Sequence, residues 1–538
     1  RTTSYRPITL LNCDYKILAQ AMTLRFAPSL RSVIDSTQTA FVPGRWIGDN
    51  VLAHLEEVDY LENTHGPGVI VFMDIEKAYD RTSRPWVLDC LARLGFGEVA
   101  LRWVTLLLAG TRARVRVNGF HTRDFSVASG VAQGSPLSPL LYVVAAQPLA
   151  ARMRALQRRG TIGGIGLPGG SLAPPSHQHA DDASLHLREV GDVERAWDGG
   201  VLPFCRASGS KPSAAKTLVM RLGSQAEGGH DGGSVIAGCG LPVVARTTPV
   251  RHLGIMLAPG EAGVAARAAK FTALEGLLQV RLRHWSGYAL TPDGRAHVAR
   301  QVLASVFVYH ATFSSPPPSL LRRVHSTIMR FVEGGSTAMA REVLHLPFHL
   351  GGRGVPNLPR QIVALQAGIV CRMFHPAPAS WKVVAASWWG AGLRSLLSAG
   401  DTGTSANSLP PRVAGYWQAF LECHPHRSCA LGELPLTHRL AEPLFHNPSI
   451  VDSGGNPLDP GAFPASAEGG VRAVGDLARR LQEAPPQGGA LGMELTALKG
   501  ALPPVLAQAL SSSAQVQYEW WLRPAVPAGS SPEVARVH

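Results

Sequence analysis

Three aspartates in this chain are placed to do chemistry together. Asp74 ends the apolar run Val69-Ile70-Val71-Phe72-Met73, and Asp181 and Asp182 follow Ala180. An aspartate at a strand end is, on its own, only a turn residue. Carboxylates delivered by two neighbouring strands differ, because they repel one another unless cations compensate them. Hard oxygen ligands suit Mg²⁺. A pair of such ions can activate an attacking hydroxyl and support a departing pyrophosphate, which is the chemistry of templated nucleotide transfer. Between the two acidic signals lies Ser129-Gly130-Val131-Ala132-Gln133-Gly134-Ser135-Pro136, a glycine-containing turn that would allow close backbone approach to a substrate.

These residues need strands and helices to position them. Val69 to Met73 is short, apolar and rich in β-branched residues, as a buried strand should be. Apolar spacing predicts a helix over Tyr15 to Leu30, carrying Lys16 and Arg25. Two more helices should close at Gly95 and, from Val99 to Ala109, at Gly110, since glycine tolerates the left-handed cap. Residues Ala113 to Asn118 alternate, and Asn118-Gly119 signals a hairpin. Pro136 starts a helix that runs to Arg159 and ends at Gly160. A loose Gly163 to Pro175 stretch leads to the Asp181-Asp182 turn, with Ser184 to Arg188 as the return strand. The class is therefore α+β, with helices covering a sheet face. After a Gly228 to Gly240 joint, helices are expected over Phe271 to Trp285, Thr291 to Phe313 and Ser319 to Val332, the second capped by Thr291 and Pro292. Loose stretches at Ala399 to Arg412 and Asp452 to Gly470 interrupt the remainder, and no fixed-period repeat is apparent.

Composition narrows the setting. The 538 residues allow three or four domains at roughly 150 residues each. A formal charge of +13 favours a polyanionic partner over plain solubility. Seven cysteines without regular spacing argue for a reducing compartment rather than a disulfide framework. The longest apolar run, Leu140 to Ala146, is far short of the roughly 20 residues a membrane span needs. No signal peptide opens the chain. It starts Arg1-Thr2-Thr3 rather than with Met, which reads as a fragment.

The motifs, in their order, resemble the reverse transcriptase of a non-LTR (LINE-type) retrotransposon. Arg6 to Ile17 is similar to the first finger motif of that family, and Gln38 to Arg45 followed by Asp49-Asn50 to the second. Phe72 to Asp80 resembles the first catalytic motif, Gly130 to Pro139 the template and nucleotide motif, and Ala180 to Asp182 the second catalytic motif. Ser208 to Thr217 and His252 to Ile255 follow in family order. Weaker similarity continues at Leu346-Pro347 with Gly351 to Gly354, and at Pro443 to Pro448.

The resemblance implies a right-hand polymerase of fingers, palm and thumb with a mainly helical C-terminal extension. Its parts would be fingers at 1–68, palm at 69–227, end of palm and joint at 228–260, thumb at 261–340 and extension at 341–538. It implies extension of a DNA primer on an RNA template with deoxynucleoside triphosphates and two Mg²⁺, with Mn²⁺ as a substitute, acting in the nucleus. By the same resemblance Asp74 and Asp181 would be the main metal ligands with Asp182 a weaker or outer partner, and Lys216 would protonate the departing pyrophosphate. Tyr79 would exclude a 2′-hydroxyl, Ile75, Gln133 and Gly134 would line the nucleotide site, and Arg45 would clamp the triphosphate. Asp80, ahead of Arg81-Thr82-Ser83, reads instead as a helix cap.

One departure stands next to the second catalytic signal. His179 replaces the Tyr or Phe usual before Ala-Asp-Asp, and a smaller, ionisable ring at the primer terminus implies reduced grip or rate. Further along, Arg281, Arg283 and His284 with Arg295 and Arg300 could form a basic face for nucleic-acid phosphates. Cys423-His424-Pro425-His426 with Cys429 lacks the paired spacing of a zinc knuckle. Two other readings keep the same fold: an impaired remnant that only binds nucleic acid, and an intron maturase. The segment after 340 disfavours the maturase.

Overall fold

In the computed structural model the described residues are 8–226, 233–334, 340–373, 379–397 and 411–423, with parts of 450–511. The chain divides into two compact units, residues 1–266 with 379–381, and residues 267–378 with 382–538.

The first unit is built on a four-stranded antiparallel sheet. It opens with helices α1 (Cys13–Val33) and α2 (Ile47–Thr64), then strand β1 (Gly68–Met73). All six β1 residues are buried, as expected of a continuous apolar, β-branched run covered on both faces. Short helix α3 (Ala78–Arg81) and helices α4 (Arg84–Arg93) and α5 (Glu98–Leu108) follow. Four two-residue strands come next: β2 (Arg112–Ala113), β3 (Arg116–Val117), β4 (Phe120–His121) and β5 (Phe125–Ser126). Asn118 and Gly119 join β3 to β4 with φ of 47° and 87°, the left-handed pair that a type I′ hairpin requires. Helix α6 (Ser138–Arg158) ends before Gly160.

Strands β6 (Ser176–His179) and β7 (Asp182–Leu187) form the second half of the sheet, followed by α7 (Val190–Ala196), a π-helical turn at Trp197–Val201, and α8 (Leu202–Ser208). Strand β8 (Leu218–Leu222) closes the sheet in the order β6-β7-β1-β8. One face is apolar: Val69, Val71, Met73, Ala183, Leu185, Leu187 and Val219 pack with Leu149 and Met153 of α6 and with Val193, Trp197 and Phe204. A second core joins α1, α4, α5 and the start of α6 through Phe26, Leu91, Val104 and Tyr142.

The glycine-rich joint expected at 228–240 is in its described part a hairpin, β9 (Val235–Ile236) with β10 (Leu241–Pro242). Ile236 and Leu241 insert into the apolar core of the sheet, so burial of two side chains fixes a segment whose composition suggests a linker. The small hairpin β11 (Val250–His252) and β12 (Ile255–Leu257) completes the strands.

The second unit is helical. Helix α9 (Gly260–Ser286) begins before the unit boundary and is longer than the apolar spacing predicts. The helix expected over 291–313 is α10 (Pro292–Val298), a π-helical turn at Ala299–Ala304, and α11 (Ser305–Phe313). Thr291 caps it, its hydroxyl accepting from Gly294 N–H at 3.1 Å. Helices α12 (Pro318–Glu333), α13 (Arg341–His345) and α14 (Leu358–Met373) pack around Phe271, Leu278, Leu303, Phe307 and Ile328. Helix α15 (Ser380–Leu397) begins within the first unit, and α16 (Pro411–Cys423) packs on α14, where the Tyr416 hydroxyl donates to Phe313 O at 2.7 Å. The Pro443 to Pro448 motif, and His424 to Cys429 of the cysteine–histidine cluster, lie outside the described residues.

Leu185, 1% exposed at the centre of the apolar face, sets the scale of this packing. Leu185→Ala is expected to cost about 2–5 kcal/mol, read as a lower urea midpoint with an unchanged slope.

Candidate active site

The backbone brings the two acidic signals to one edge of the sheet. β1 and β7 pair with Met73 opposite Ala183. Asp74, the next residue out of β1, therefore lies beside Asp182, the first residue of β7. Asp181 occupies the two-residue turn between β6 and β7, where His179 pairs with Asp182. Asp74 N–H is held by Thr217 Oγ1 at 3.2 Å, and its carbonyl accepts from Ser213 N–H at 2.8 Å. Lys216, from the same 213–217 turn, reaches within 3.9 Å of the Asp74 carboxylate, both side chains being well exposed. The three aspartates do not form a closed ligand cage, as expected of like charges that repel. They form an open edge of hard oxygen donors within reach of solvent, a donor set that fits Mg²⁺.

The turn itself is strained and must be held. Ala180 has φ of 56°, a left-handed conformation costing a non-glycine residue roughly 1–2 kcal/mol. Gln38 supplies the support: its Oε1 accepts from Ala180 N–H at 2.9 Å and from Ala40 N–H at 3.1 Å. Backbone bonds from Gln178 N–H to Thr37 O (3.1 Å) and from Thr39 N–H to Gln178 O (3.0 Å) lay residues 37–39 along β6. Asn50 Nδ2 joins the two, donating to Gln178 O at 2.7 Å and Thr37 O at 2.9 Å. Gln38 and Asn50 are positioning residues that reasoning about chemistry passed over, although both lie in the motifs that resemble the second finger motif.

The Ser129 to Pro136 loop closes on the first acidic motif. Gly130 has φ of 82°, and a Cβ there would stand 2.5 Å from Asp80 O. Gly134 has φ of 116°, with Thr9 O 2.6 Å from where its Cβ would be, so both positions require glycine. Gln133 Nε2 donates to Asp80 Oδ1 at 3.0 Å. Asp80 is thus not a helix cap; Ser83 takes that place at α4. Tyr79 stacks on Tyr142 of α6 with ring centroids 4.6 Å apart and 15° between planes. Burial, then the nearby Asp181 charge, pushes the Tyr142 hydroxyl well above its usual range. Tyr142 hides in the sequence inside the apolar run Leu140 to Ala146. Ile75 bridges to Pro212 and packs against the α1–α6 core.

Arg45 has a different position from the one a phosphate clamp needs. Its Nη1 donates to Asp35 O and to Gln38 O (2.8 Å), and its Nη2 to Ile34 O (2.7 Å) and Arg31 O (3.2 Å). Its four terminal N–H groups serve as a cap for the end of α1 and the loop after it. Nearby, Arg154 grips the Asp35 carboxylate with two bonds. Burial raises the Asp35 pKa, but these bonds and the Arg154 charge more than offset it, and the carboxyl stays below its ordinary range.

His179 Nδ1 lies 3.0 Å from Thr39 Oγ1. Burial lowers its pKa and Asp181 raises it, with a net lowering that keeps the ring neutral. The basic residues of the second unit are engaged to different degrees. Arg281 donates to Val302 O at 2.8 Å, and Arg295 to Val332 O at 3.0 Å and Leu290 O at 2.9 Å. Arg300 is half-buried, while Arg283 and His284 stand in solvent.

This strand-borne acidic edge, with its glycine loop and stacked tyrosines, is found on a chain whose residues 1–257 match the family described as reverse transcriptase (RNA-dependent DNA polymerase). The likeness to that family lies in residues 1–257, and the relatives the chain resembles are proteins of transposable elements. One relative is the transposon TX1 uncharacterized 149 kDa protein of Xenopus laevis, 28% identical over 72% of this chain and 29% of its own length. Another is the retrovirus-related Pol polyprotein from type-2 retrotransposable element R2DM of Drosophila melanogaster, 23% identical over 66% of this chain and 33% of its own. The matched region thus spans about a third of those proteins. Among solved structures, telomerase from Candida albicans has 12% identity and a TM-score of 0.32, covering 65% of this chain and 54% of that one. No described helix is long and apolar enough to cross a membrane.

Gln38→Ala removes the acceptor on the strained turn. The expected cost is about 1–3 kcal/mol in a urea melt, and Ala180→Gly, which relieves the left-handed strain, should recover part of it in the double variant.

Proposed function

We propose that this chain is the RNA-directed DNA polymerase segment of a non-LTR retrotransposon protein, extending a DNA primer on an RNA template from deoxynucleoside triphosphates. The observation that carries the reading is the β1–β7 register, which sets Asp74 next to Asp181 and Asp182. In this reading the four-stranded sheet is the palm, α1 and α2 belong to the fingers, and the helices from α9 to α12 are the thumb. Asp74, Asp181 and Asp182 would hold two magnesium ions, which when bound supply the charge that activates a 3′-hydroxyl and steadies pyrophosphate.

The protein groups divide the remaining work. Tyr79, braced from behind by Tyr142, presents a rigid wall beside the aspartates against which a 2′-hydroxyl would collide. Gly134 and Gln133 let the backbone approach the incoming nucleotide, and Ile75 lines the same region. Lys216, exposed and near Asp74, is placed to give a proton to departing pyrophosphate. His179, neutral and tied to Thr39, takes the primer-grip position with less ring area than a tyrosine. Priming on chromosomal DNA would put the protein in the nucleus.

Primer extension on poly-A RNA with Mg²⁺ tests the reading. Asp181→Asn should lower the rate by on the order of a thousandfold while duplex binding persists; a parent protein that binds duplex and never extends a primer would sink the reading. Tyr79→Ala should raise ribonucleotide use relative to deoxyribonucleotide use by roughly 10–100-fold, measured by single-nucleotide incorporation.

A further inference from the structure

The face of the sheet opposite the apolar core buries a polar cluster that the polymerase reading leaves unused. His54 and Glu57 come from α2, His177 from β6, His186 from β7 and His252 from β11. Glu57 and His186 are both 0% exposed, and His177 is 3% exposed. Their rings crowd together, His177 and His186 having centroids 4.5 Å apart and His54 and His186 4.7 Å.

Hydrogen-bond partners fix where the protons sit. Asn50 Nδ2 already donates to Thr37 O, Gln178 O and Thr39 Oγ1, so Asn50 Oδ1 faces His177 Nδ1 at 3.2 Å as an acceptor. His177 therefore carries its proton on Nδ1, and its Nε2 is a bare lone pair. That Nε2 is buried and makes no hydrogen bond; it points toward Glu57 Oε1, 4.0 Å away.

The second histidine is fixed by a longer chain. His54 Nδ1 donates to Asn50 O at 2.6 Å, which leaves His54 Nε2 to accept the Ser184 hydroxyl proton at 2.7 Å. His186 Nε2 must then be the donor to Ser184 Oγ, at 2.9 Å, and it also lies 3.3 Å from His54 Nε2. With Nε2 engaged in this way, His186 turns its Nδ1 to Glu57 Oε2, 2.5 Å away. An imidazole nitrogen and a carboxylate held this close share a cation between them, either a proton or a metal ion. The remaining Glu57 oxygen has only a long 3.5 Å contact from the Ser380 hydroxyl. Glu57, His177 and His186 are also the group among the described residues whose ligand atoms all lie within 4.8 Å of one another.

Two imidazole lone pairs and a carboxylate that converge in a buried space call for a cation. We propose that Glu57, His177 and His186 bind one zinc ion. Two nitrogens and one oxygen suit Zn²⁺, whereas Mg²⁺ prefers an all-oxygen shell. Asn50 and the His54–Ser184 pair fix the tautomers of the two histidine ligands, as outer partners of zinc ligands do. The ion fastens α2 to β6 and β7, the strands that carry the Asp181-Asp182 turn, and is separate from the Mg²⁺ edge.

Elemental analysis of the full chain, purified without chelator and dialysed, tests this. About one zinc ion per chain is expected, falling to background in Glu57→Gln and His177→Asn. Asn50→Ala, which keeps all three ligands, should weaken zinc affinity by roughly 10–100-fold. Stripping the parent should lower its melting temperature, with recovery on adding zinc and none on adding Mg²⁺. A zinc-free parent whose melting temperature ignores added zinc would overturn the site and leave a trapped proton as the cation. Zinc that remains in Glu57→Gln but leaves Cys423→Ser would place the ion elsewhere and equally overturn it. Should the ligand variants fail to fold, the cobalt-loaded parent decides: visible absorption of a four-coordinate nitrogen–oxygen site is expected, and its absence sinks the proposal.

Discussion

Met73 faces Ala183 across the β1–β7 pair, and through that register the acidic edge, the faces of the sheet and the helices on them are all fixed together. The side-chain period of a strand is two, so a slip by one residue would send Leu185 to the polar side and His186 into the apolar core. It would also move Asp74 away from the Asp181 turn. Burial of Val69, Val71 and Met73 on one side against α6 and α8, and of Phe72 against His54 and His252 on the other, penalises any such slip twice. Chemical placement is thus a by-product of core packing.

The second face of the sheet explains why the segment before α2 is built as it is. Residues 37–39 run along the edge strand β6 and satisfy its open backbone groups, which an uncovered edge would leave available to other chains. Gln38 and Asn50 are buried in that contact, and buried amides are stabilising only when fully bonded. Both are: Gln38 Oε1 accepts two backbone N–H groups and Asn50 Nδ2 makes three bonds. The strained Ala180 turn is therefore held from outside the hairpin, by a loop that Arg45 and Arg154 pin through Asp35 and its neighbours. Distant residues act on the acidic edge through this one polar layer.

Much of this was readable beforehand where a residue type has one structural solution. The β1 run, the Asn118-Gly119 hairpin, the Thr291 cap and the glycine stop after α6 each follow from backbone preference or from burial of a uniform apolar segment. Side chains with two solutions were not readable. Arg45, Arg281 and Arg295 look like phosphate-binding groups, yet each donates to backbone carbonyls, because a guanidinium serves an orphan carbonyl as well as an anion. Ser184 and His186 alternate with Ala183, Leu185 and Leu187, a pattern that normally marks a solvent face. Here α2 covers that face, and nothing in the local period of β7 reveals it. The linker-like glycines near 236 mislead for the same reason, since two buried side chains outweigh the freedom of their neighbours.

His179 shows how the polar layer changes what a substitution means. A tyrosine or phenylalanine ahead of the Ala180 turn would hold its place by ring area. The imidazole gives up part of that area and gains a directional contact to Thr39 Oγ1, the same hydroxyl that takes a bond from Asn50. Its partial burial holds its pKa down despite Asp181, so it adds no fixed positive charge beside the acidic edge. A lysine or arginine there would place a full charge beside the aspartates; a neutral imidazole does not. The imidazole therefore offers less ring area than a tyrosine or phenylalanine while leaving the electrostatics of the acidic edge unchanged, and it ties the turn to the hydrogen-bonded network that begins at Gln38 and Asn50.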